Sequence, residues 1–440
     1  MTVPGKGAPA TPLPAALRAG GVRMLAVLSI INAADSVDHI AFASLAPEVQ
    51  RSIGANDTTM VALVGAPGLA VVVGAFPVVW LARRIKRVGI IAATSAVAAV
   101  AVAATGAARS IAQMAVARIG AGFGQTNRLP SHSSLLADAY DLTARSRVFA
   151  IDALGRPVGM LLGPVLAGVV ATAAGGPEGW RWAFVAIGAG FVVLALVSLS
   201  LREPPAEGNE QLAVAGRRQA PRQLPIPAAL DQLRRTPTIW WFGGGIAALG
   251  FVVVSAPVLL SMLLDDAYGD STLRRTTLVA LSWLGVFVAA PIAGMVGDRV
   301  LRHNPAWAMV GIALCLAGYG VLASVALRFE AVVPLIVGIG AANALAAAPL
   351  VAVGPTVALV APIHSRSSAF ALVPIFLLVG GGLVAGVPAG ALSDAFGSRT
   401  ALAIATPVVA AVGAACVAVG SRTVEEDLER NARQIAESAG

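Results

Sequence analysis

Apolar residues gather into twelve stretches, near 22–46, 58–81, 88–108, 111–137, 148–172, 182–201, 237–264, 276–296, 306–327, 331–360, 368–392 and 400–420, with polar residues confined between them. A helix of about 20 apolar residues crosses a bilayer. The longest polar stretch, 202–236, divides the twelve into two sets of six and carries Pro204, Pro205, Pro221, Pro225 and Pro227 among Arg217, Arg218, Arg234 and Arg235. The pattern predicts an all-α integral membrane protein of two six-helix bundles, 22–201 and 237–420. A tail over 1–21, a linker over 202–236 and a tail over 421–440 complete it. Ala228 to Arg235 has the pattern of a short amphipathic helix, and Val424, Leu428 and Ile435 recur at near-helical spacing in the last tail. The first 21 residues hold no apolar core, and the first span is too long for a signal sequence and carries two acids. It is read as an uncleaved membrane helix.

Composition agrees. Apolar residues make up 57% and charged residues 12% of the chain, where a soluble domain carries about 25% charge; the mean hydropathy is +0.80. The net charge of +8 reports topology and no nucleic-acid partner is expected. If the N-terminus is cytoplasmic, inside segments hold 21 of the 31 Lys and Arg and outside loops hold 7. That bias predicts a cytoplasmic-membrane protein with both termini inside. Cys315 and Cys416 lie in apolar spans and read as packing residues. The histidines are scattered and there is no nucleophile–base set, so neither a metal nor a cofactor nor an enzymatic activity is expected. The protein is read as a monomer.

Six charged residues fall deep within spans, all in the first half: Asp35, Asp38, Arg118, Arg128, Asp152 and Arg156, accompanied by His39 and His132. A charge at the bilayer centre costs about 2.5–3.5 kcal/mol on insertion scales, so such residues mark function. Asp35, Asp38 and His39 stand at i, i+3 and i+4 and share one helix face near the midplane. Desolvation there favours a neutral carboxyl and a nearby arginine favours a charged one. Asp38 is therefore the expected proton carrier, tuned by Asp35 and His39; the alternative is a structural bridge to the fourth span. Arg118, Gln125 and His132 recur every seven residues, and Arg128 joins their stripe. Asp152 and Arg156 form an i,i+4 pair that reads as a bridge near the cytoplasmic mouth or, through Arg156, as a contact for an anionic substrate group. Gly155, Gly159 and Gly163 stack at i+4 spacing, which allows close helix approach, and Pro164 follows as a kink. The second half carries no charge inside its spans. Its candidates for a substrate wall are Phe251, Trp283, Phe287, Tyr319, Asn343, Phe370 and Phe376, suited to a lipophilic molecule.

The halves repeat. Gly179 and Arg181 before the sixth span match Gly397 and Arg399 before the twelfth, and Arg145 before the fifth matches Arg366 before the eleventh. Internal repeats with a site at their interface are a transporter plan. In this setting Gly294, Asp298, Arg299 and Arg302 resemble the loop signature of the major facilitator superfamily. Arg118, Gly122 and Gly124 resemble its fourth-helix motif. Gly155, Gly159, Gly163, Pro164 and Gly168 resemble the fifth-helix motif of proton-driven exporters. Asp38, nine residues before Pro47, sits where exporters carry a first-helix acid, and Arg202-Glu203-Pro204 resembles the usual exit from the sixth helix. The first half looks most like drug/proton antiporters and spinster-like lipid transporters, with His39 and Gln125 standing where the spinster-like pattern has arginine and glutamate. Arg83 occupies the place of an acid in the loop after the second span, so a charge-swapped pairing with Asp138 or Asp141 is expected.

The resemblance implies a twelve-helix secondary transporter that exports a lipophilic or amphipathic molecule in exchange for protons, with Asp38 and Arg118 carrying the coupling. Two rivals stay open: a lysolipid or organic-anion transporter of the same fold, including an uptake symporter, and a non-transporting membrane receptor or scaffold.

Overall fold

The computed structural model describes residues 14, 17, 21–71, 73–74, 85–126, 132–140, 142–203, 226–269, 271–362 and 365–437. Among them there is no strand. Ten helices are long and apolar enough to cross a membrane, and Asp57–Val71 is a shorter apolar helix. The fourth expected span is described as Ile111–Gln125 and Ser133–Ala139. These elements are consistent with the twelve-helix arrangement.

Local chemistry sets the helix ends. The first span, Val22–Ser44, breaks at Leu45 because Pro47 cannot donate a backbone hydrogen bond. It continues as Ala46–Ile53 and stops at Gly54, whose φ of 66° is left-handed. The Asn56 side chain then accepts the Thr59 N–H at 2.9 Å and starts the second span. Ser110 does the same for the fourth through Gln113, at 3.3 Å. The fifth span runs Leu142–Ala174 with Pro157 and Pro164 inside it. The twelfth, Ser398–Glu437, continues unbroken into the C-terminal tail. There Asp427 accepts the Thr238 N–H at 3.0 Å and Arg430 donates to the Arg235 carbonyl at 2.9 Å. The tail thereby docks on the seventh span and on the linker helix Ile226–Arg234.

Within the first half, glycines decide how closely helices meet. A Cβ on Gly155 would lie 2.5 Å from the Ser29 carbonyl oxygen, one on Gly159 would overlap the Ala33 carbonyl, and one on Gly163 would lie 3.0 Å from the Val37 Cα. The fifth span is thus pressed along the backbone of the first, the span that carries Asp35, Asp38 and His39.

The internal repeat extends to side chains. Arg181 donates to the carbonyls of Gly106 (3.0 Å) and Ala108 at the end of the third span. Arg399 donates to those of Leu327 (2.8 Å) and Phe329 (3.0 Å) at the end of the ninth. Each arginine occupies the negative end of a helix dipole in its own half.

Polar contacts join the two halves at the end away from the linker. Ion pairs run from Arg275 to Glu48 and from Arg51 to Asp265 (2.5 Å), while Arg275 also holds Asp265 at 2.7 Å. Asp394 on the eleventh span accepts the backbone N–H groups of Asp57 (2.8 Å) and Thr58 (3.1 Å) and the Thr58 hydroxyl (2.5 Å), and Ser393 donates to Asp57. A carboxylate of one half therefore caps a helix of the other.

Candidate functional site

The first and fourth spans bring Asp38 and Arg118 together although 80 residues separate them. Arg118 Nη1 donates to both carboxylate oxygens, at 2.9 and 3.0 Å. The side chains are 1% and 0% exposed, so the pair is fully desolvated. The guanidinium carbon also lies 4.5 Å from the Phe42 ring centre. Phe42 leads to Phe184 at 5.8 Å and Phe184 to Trp180 at 6.0 Å, an aromatic floor beneath the arginine. Arg118 Nε and Nη2 are buried with no hydrogen-bond partner among the described residues. Three of this guanidinium's five N–H donors therefore find no acceptor among the described residues.

His39 follows Asp38 on the first span and is half-buried. Asp152 faces the first span: its carbonyl accepts Asn32 Nδ2 at 2.8 Å, and Ser29 Oγ stands 3.5 Å from Oδ1. Asp35, Asp152, Arg156 and His132 all make further polar or electrostatic contacts. Asp35 is half-buried and His132 buried; Gln125 is half-buried at the end of its helix. Arg128 lies outside the described residues. The structure brings Asp38 and Arg118 together and ties Asp152 to the same first span.

The second-half candidates divide. Phe251 is fully buried, in the same apolar cluster as Phe42 and Phe184. Trp283, Tyr319 and Asn343 line a small cavity of about 20 Å³ between helices of the second bundle, and Asn343 Nδ2 donates to the Ser282 carbonyl at 2.8 Å. Phe376 stands edge-on to Trp240 at 5.8 Å, and Phe370 packs in the same half's apolar cluster. Phe287 is exposed. Gly294 has room for a side chain, the nearest atom to a built Cβ being Val351 Cγ1 at 3.6 Å, and Arg299 is exposed. The side chains of Asp298 and Arg302 lie outside the described residues.

The described partner of Asp138 is Arg87, at 2.6 Å; Arg83 and Asp141 lie outside the described residues. Arg87 also pairs with Glu203 at 2.8 Å, and Glu203 accepts the Val88 N–H at 3.0 Å. The linker-end lock of the first half is thus built on the sixth-span exit as well as on the loop after the fourth span.

Sequence reasoning missed Phe42 and the cross-half acids Glu48, Asp265 and Asp394. The position of Pro47 marked the first-span break beside Glu48. Nothing in the local pattern distinguished Asp394 or Phe42.

The chain matches the family model of the Major Facilitator Superfamily over residues 28–383. It is 26% identical over 355 residues to an MFS-type efflux pump of Mycolicibacterium smegmatis, covering 74% of this chain and 75% of that one. In three dimensions it is similar to a bacterial homologue of the human lysosomal transporter Spinster in an inward-facing, unoccupied conformation: TM-score 0.73, 20% identity, 92% of this chain and 97% of that one. It is also similar to the xylose transporter XylE from E. coli in a partially occluded inward-open conformation, with a TM-score of 0.68, 13% identity and coverage of 90% and 96%.

Proposed function

The chain belongs to the major facilitator superfamily, whose members are transporters, and from that membership we propose that it exports a lipophilic or amphipathic small molecule in exchange for protons. Transport proceeds by alternating access, the halves rocking about a site near the midplane. The observation that carries this reading is the desolvated Asp38–Arg118 pair. A carboxylate held by an arginine in a dry site releases that partner when it takes up a proton, and retakes it on losing the proton. A change in the distance between the first and fourth spans can therefore load or unload one proton. Asp35 and His39 tune the pair, and the pressed contact of the fifth span with the first supports the rearrangement. The name of the mycobacterial relative supports export. The apolar second half suits a lipophilic cargo.

In this reading the structure is inward-facing: the external end is clamped by Glu48, Arg275, Asp265, Arg51 and Asp394, and the linker end faces the cytoplasm. The protein acts as a monomer in the cytoplasmic membrane with both termini inside.

A second reading, transport of an organic anion or lysolipid, is favoured by one observation. Among the described residues Arg118 Nε and Nη2 have no hydrogen-bond partner, so an anionic head group would find donors there.

The test uses purified protein in liposomes with an imposed pH gradient. Lumenal pH is followed while lipophilic cations, neutral drugs, organic anions and lysolipids are added, for wild type and Asp38→Asn. Proton flux triggered by a neutral or cationic compound and absent in Asp38→Asn is the expected result. A strict requirement for an anionic group selects the second reading. Silence across the panel, with insertion verified, removes the exporter.

A further inference from the structure

The small cavity of the second bundle is ringed by polar groups that lack partners. Ser282 and Trp283 of the eighth span, Tyr319 of the ninth, Asn343 of the tenth and Thr406 of the twelfth line it, beside apolar residues of the seventh. Trp283, Tyr319, Asn343 and Thr406 are only 2–4% exposed. Trp283 Nε1 has no hydrogen-bond partner among the described residues. The Tyr319 and Thr406 hydroxyls have none there either, and Asn343 uses only its Nδ2, on the Ser282 carbonyl. Buried polar groups are nearly always hydrogen-bonded. Four unpaired groups from four spans around one cavity therefore call for a shared partner.

The chemistry of the set selects that partner. An indole N–H only donates, an amide oxygen only accepts, and a hydroxyl does either. A cation would face the Trp283 N–H, and an anion would face the Asn343 oxygen. Water both donates and accepts. One buried water needs about 10–15 Å³ of cavity and two to four polar partners. The cavity of about 20 Å³ has room for one.

We infer that this cavity binds one water molecule, shared by Trp283, Tyr319, Asn343 and Thr406, and that the water braces a turn in the eighth span. That span is interrupted at Trp283, between the helices Thr272–Ser282 and Leu284–His303. Asn343 Nδ2 holds the Ser282 carbonyl at the turn, and the water holds Asn343 by its other amide atom. Arg275 lies on the first of the two helices, so the brace stands behind the ion pair from Arg275 to Glu48. These polar side chains thus serve a resident water and not the cargo, and the assignment is independent of what the cargo is.

Radiolytic hydroxyl labelling read by mass spectrometry tests this, because radicals formed from a bound water mark the side chains that touch it. The full-length protein in nanodiscs is irradiated in sodium chloride and in choline chloride. Labelling of Trp283 and Tyr319, corrected for intrinsic reactivity, is referred to Phe251, which is fully buried in an apolar cluster. Both are expected to be labelled at least about threefold faster than Phe251, equally in the two salts, as a buried water with several polar partners is held in place. Tyr319→Phe with Thr406→Val keeps the shapes and removes two partners. In that double variant Trp283 labelling is expected to fall to the Phe251 level, and amide exchange over 272–287 to speed up at least about threefold as the turn loosens. Where the double variant does not elute as folded protein, Thr406→Val alone takes its place. Wild-type labelling at the Phe251 level overturns the inference, as does labelling that persists in the variant. Labelling that rises when choline replaces sodium identifies a cation as the occupant and overturns it too. Lost labelling with unchanged amide exchange overturns the brace.

Discussion

At the scale of single residues the buried ion pair sets the energetics. Arg118 and Asp38 repay their desolvation only as a pair, and removing one partner of such a pair costs about 3–5 kcal/mol. Arg118→Leu is therefore expected to lower thermal stability strongly by leaving Asp38 buried alone. The double variant Arg118→Leu, Asp38→Leu should recover most of that loss, because apolar replacement of a buried pair is often neutral or stabilising. Thermal melts of the purified single and double variants decide this; additive losses would show that the two side chains are stabilised independently. On the proposed function neither variant drives proton exchange, so stability and transport part company in the double variant. Asp38→Asn separates them in another way. It keeps the shape and two hydrogen-bonding atoms and removes the charge, so substrate counterflow without a gradient should persist while gradient-driven accumulation is lost.

At the scale of elements the contact between the first and fifth spans is tightly constrained. Overpacking a tight site costs about 1–3 kcal/mol, and the cost grows with the overlap. Gly159→Ala drives a methyl into the Ala33 carbonyl, whereas Gly163→Ala places it 3.0 Å from the Val37 Cα. Gly159→Ala is expected to lose both stability and transport, and Gly163→Ala to be markedly milder. Melting temperature and initial uptake rate, measured side by side, check the order; a reversed order would mean that the spans part under load at Gly159. The glycine spacing was legible along the chain because residues four apart on a helix share a face. Which helix the glycines meet was not, since the face pattern is the same whatever packs on it.

At the scale of the whole molecule the two halves are held at the end away from the linker by charges drawn from five spans. Asp394 caps the second span from 337 residues away, and Arg275, only 1% exposed, holds Glu48. In the proposed cycle these contacts close the external side. Asp394→Ala and Arg275→Ala are both expected to move the equilibrium toward outward-open, Arg275→Ala further because it takes the ion-pair partner from the buried Glu48. Labelling of a cysteine introduced at the external mouth by a membrane-impermeant maleimide measures the shift, and unchanged labelling in both variants would remove the clamp. The two dipole-capping arginines offer an internal control. Arg181→Ala and Arg399→Ala remove corresponding contacts in the two halves and should destabilise by similar amounts, about 0.5–2 kcal/mol for partly buried caps of this kind.

The sequence by itself determined that this chain is a bundle of membrane helices in two related halves, and it raised the expectation that the charges deepest in its spans lie in the first. Each of those conclusions rests on local terms: the transfer cost of a residue in hydrocarbon, the helical period and the stiffness of proline. Those terms act within about 20 residues of a position and can be read along the chain. Tertiary structure alone decided that Asp38 takes Arg118 over an aromatic floor, that Asp138 takes Arg87, and that Asn343 turns into the second bundle. It alone set Asp394 to close a helix of the other half. Each of these choices joins residues of different helices, and helices of like apolar composition can pack in many rotations and orders. Only the simultaneous fit of glycine contacts, buried hydrogen bonds and charge pairs selects one of them.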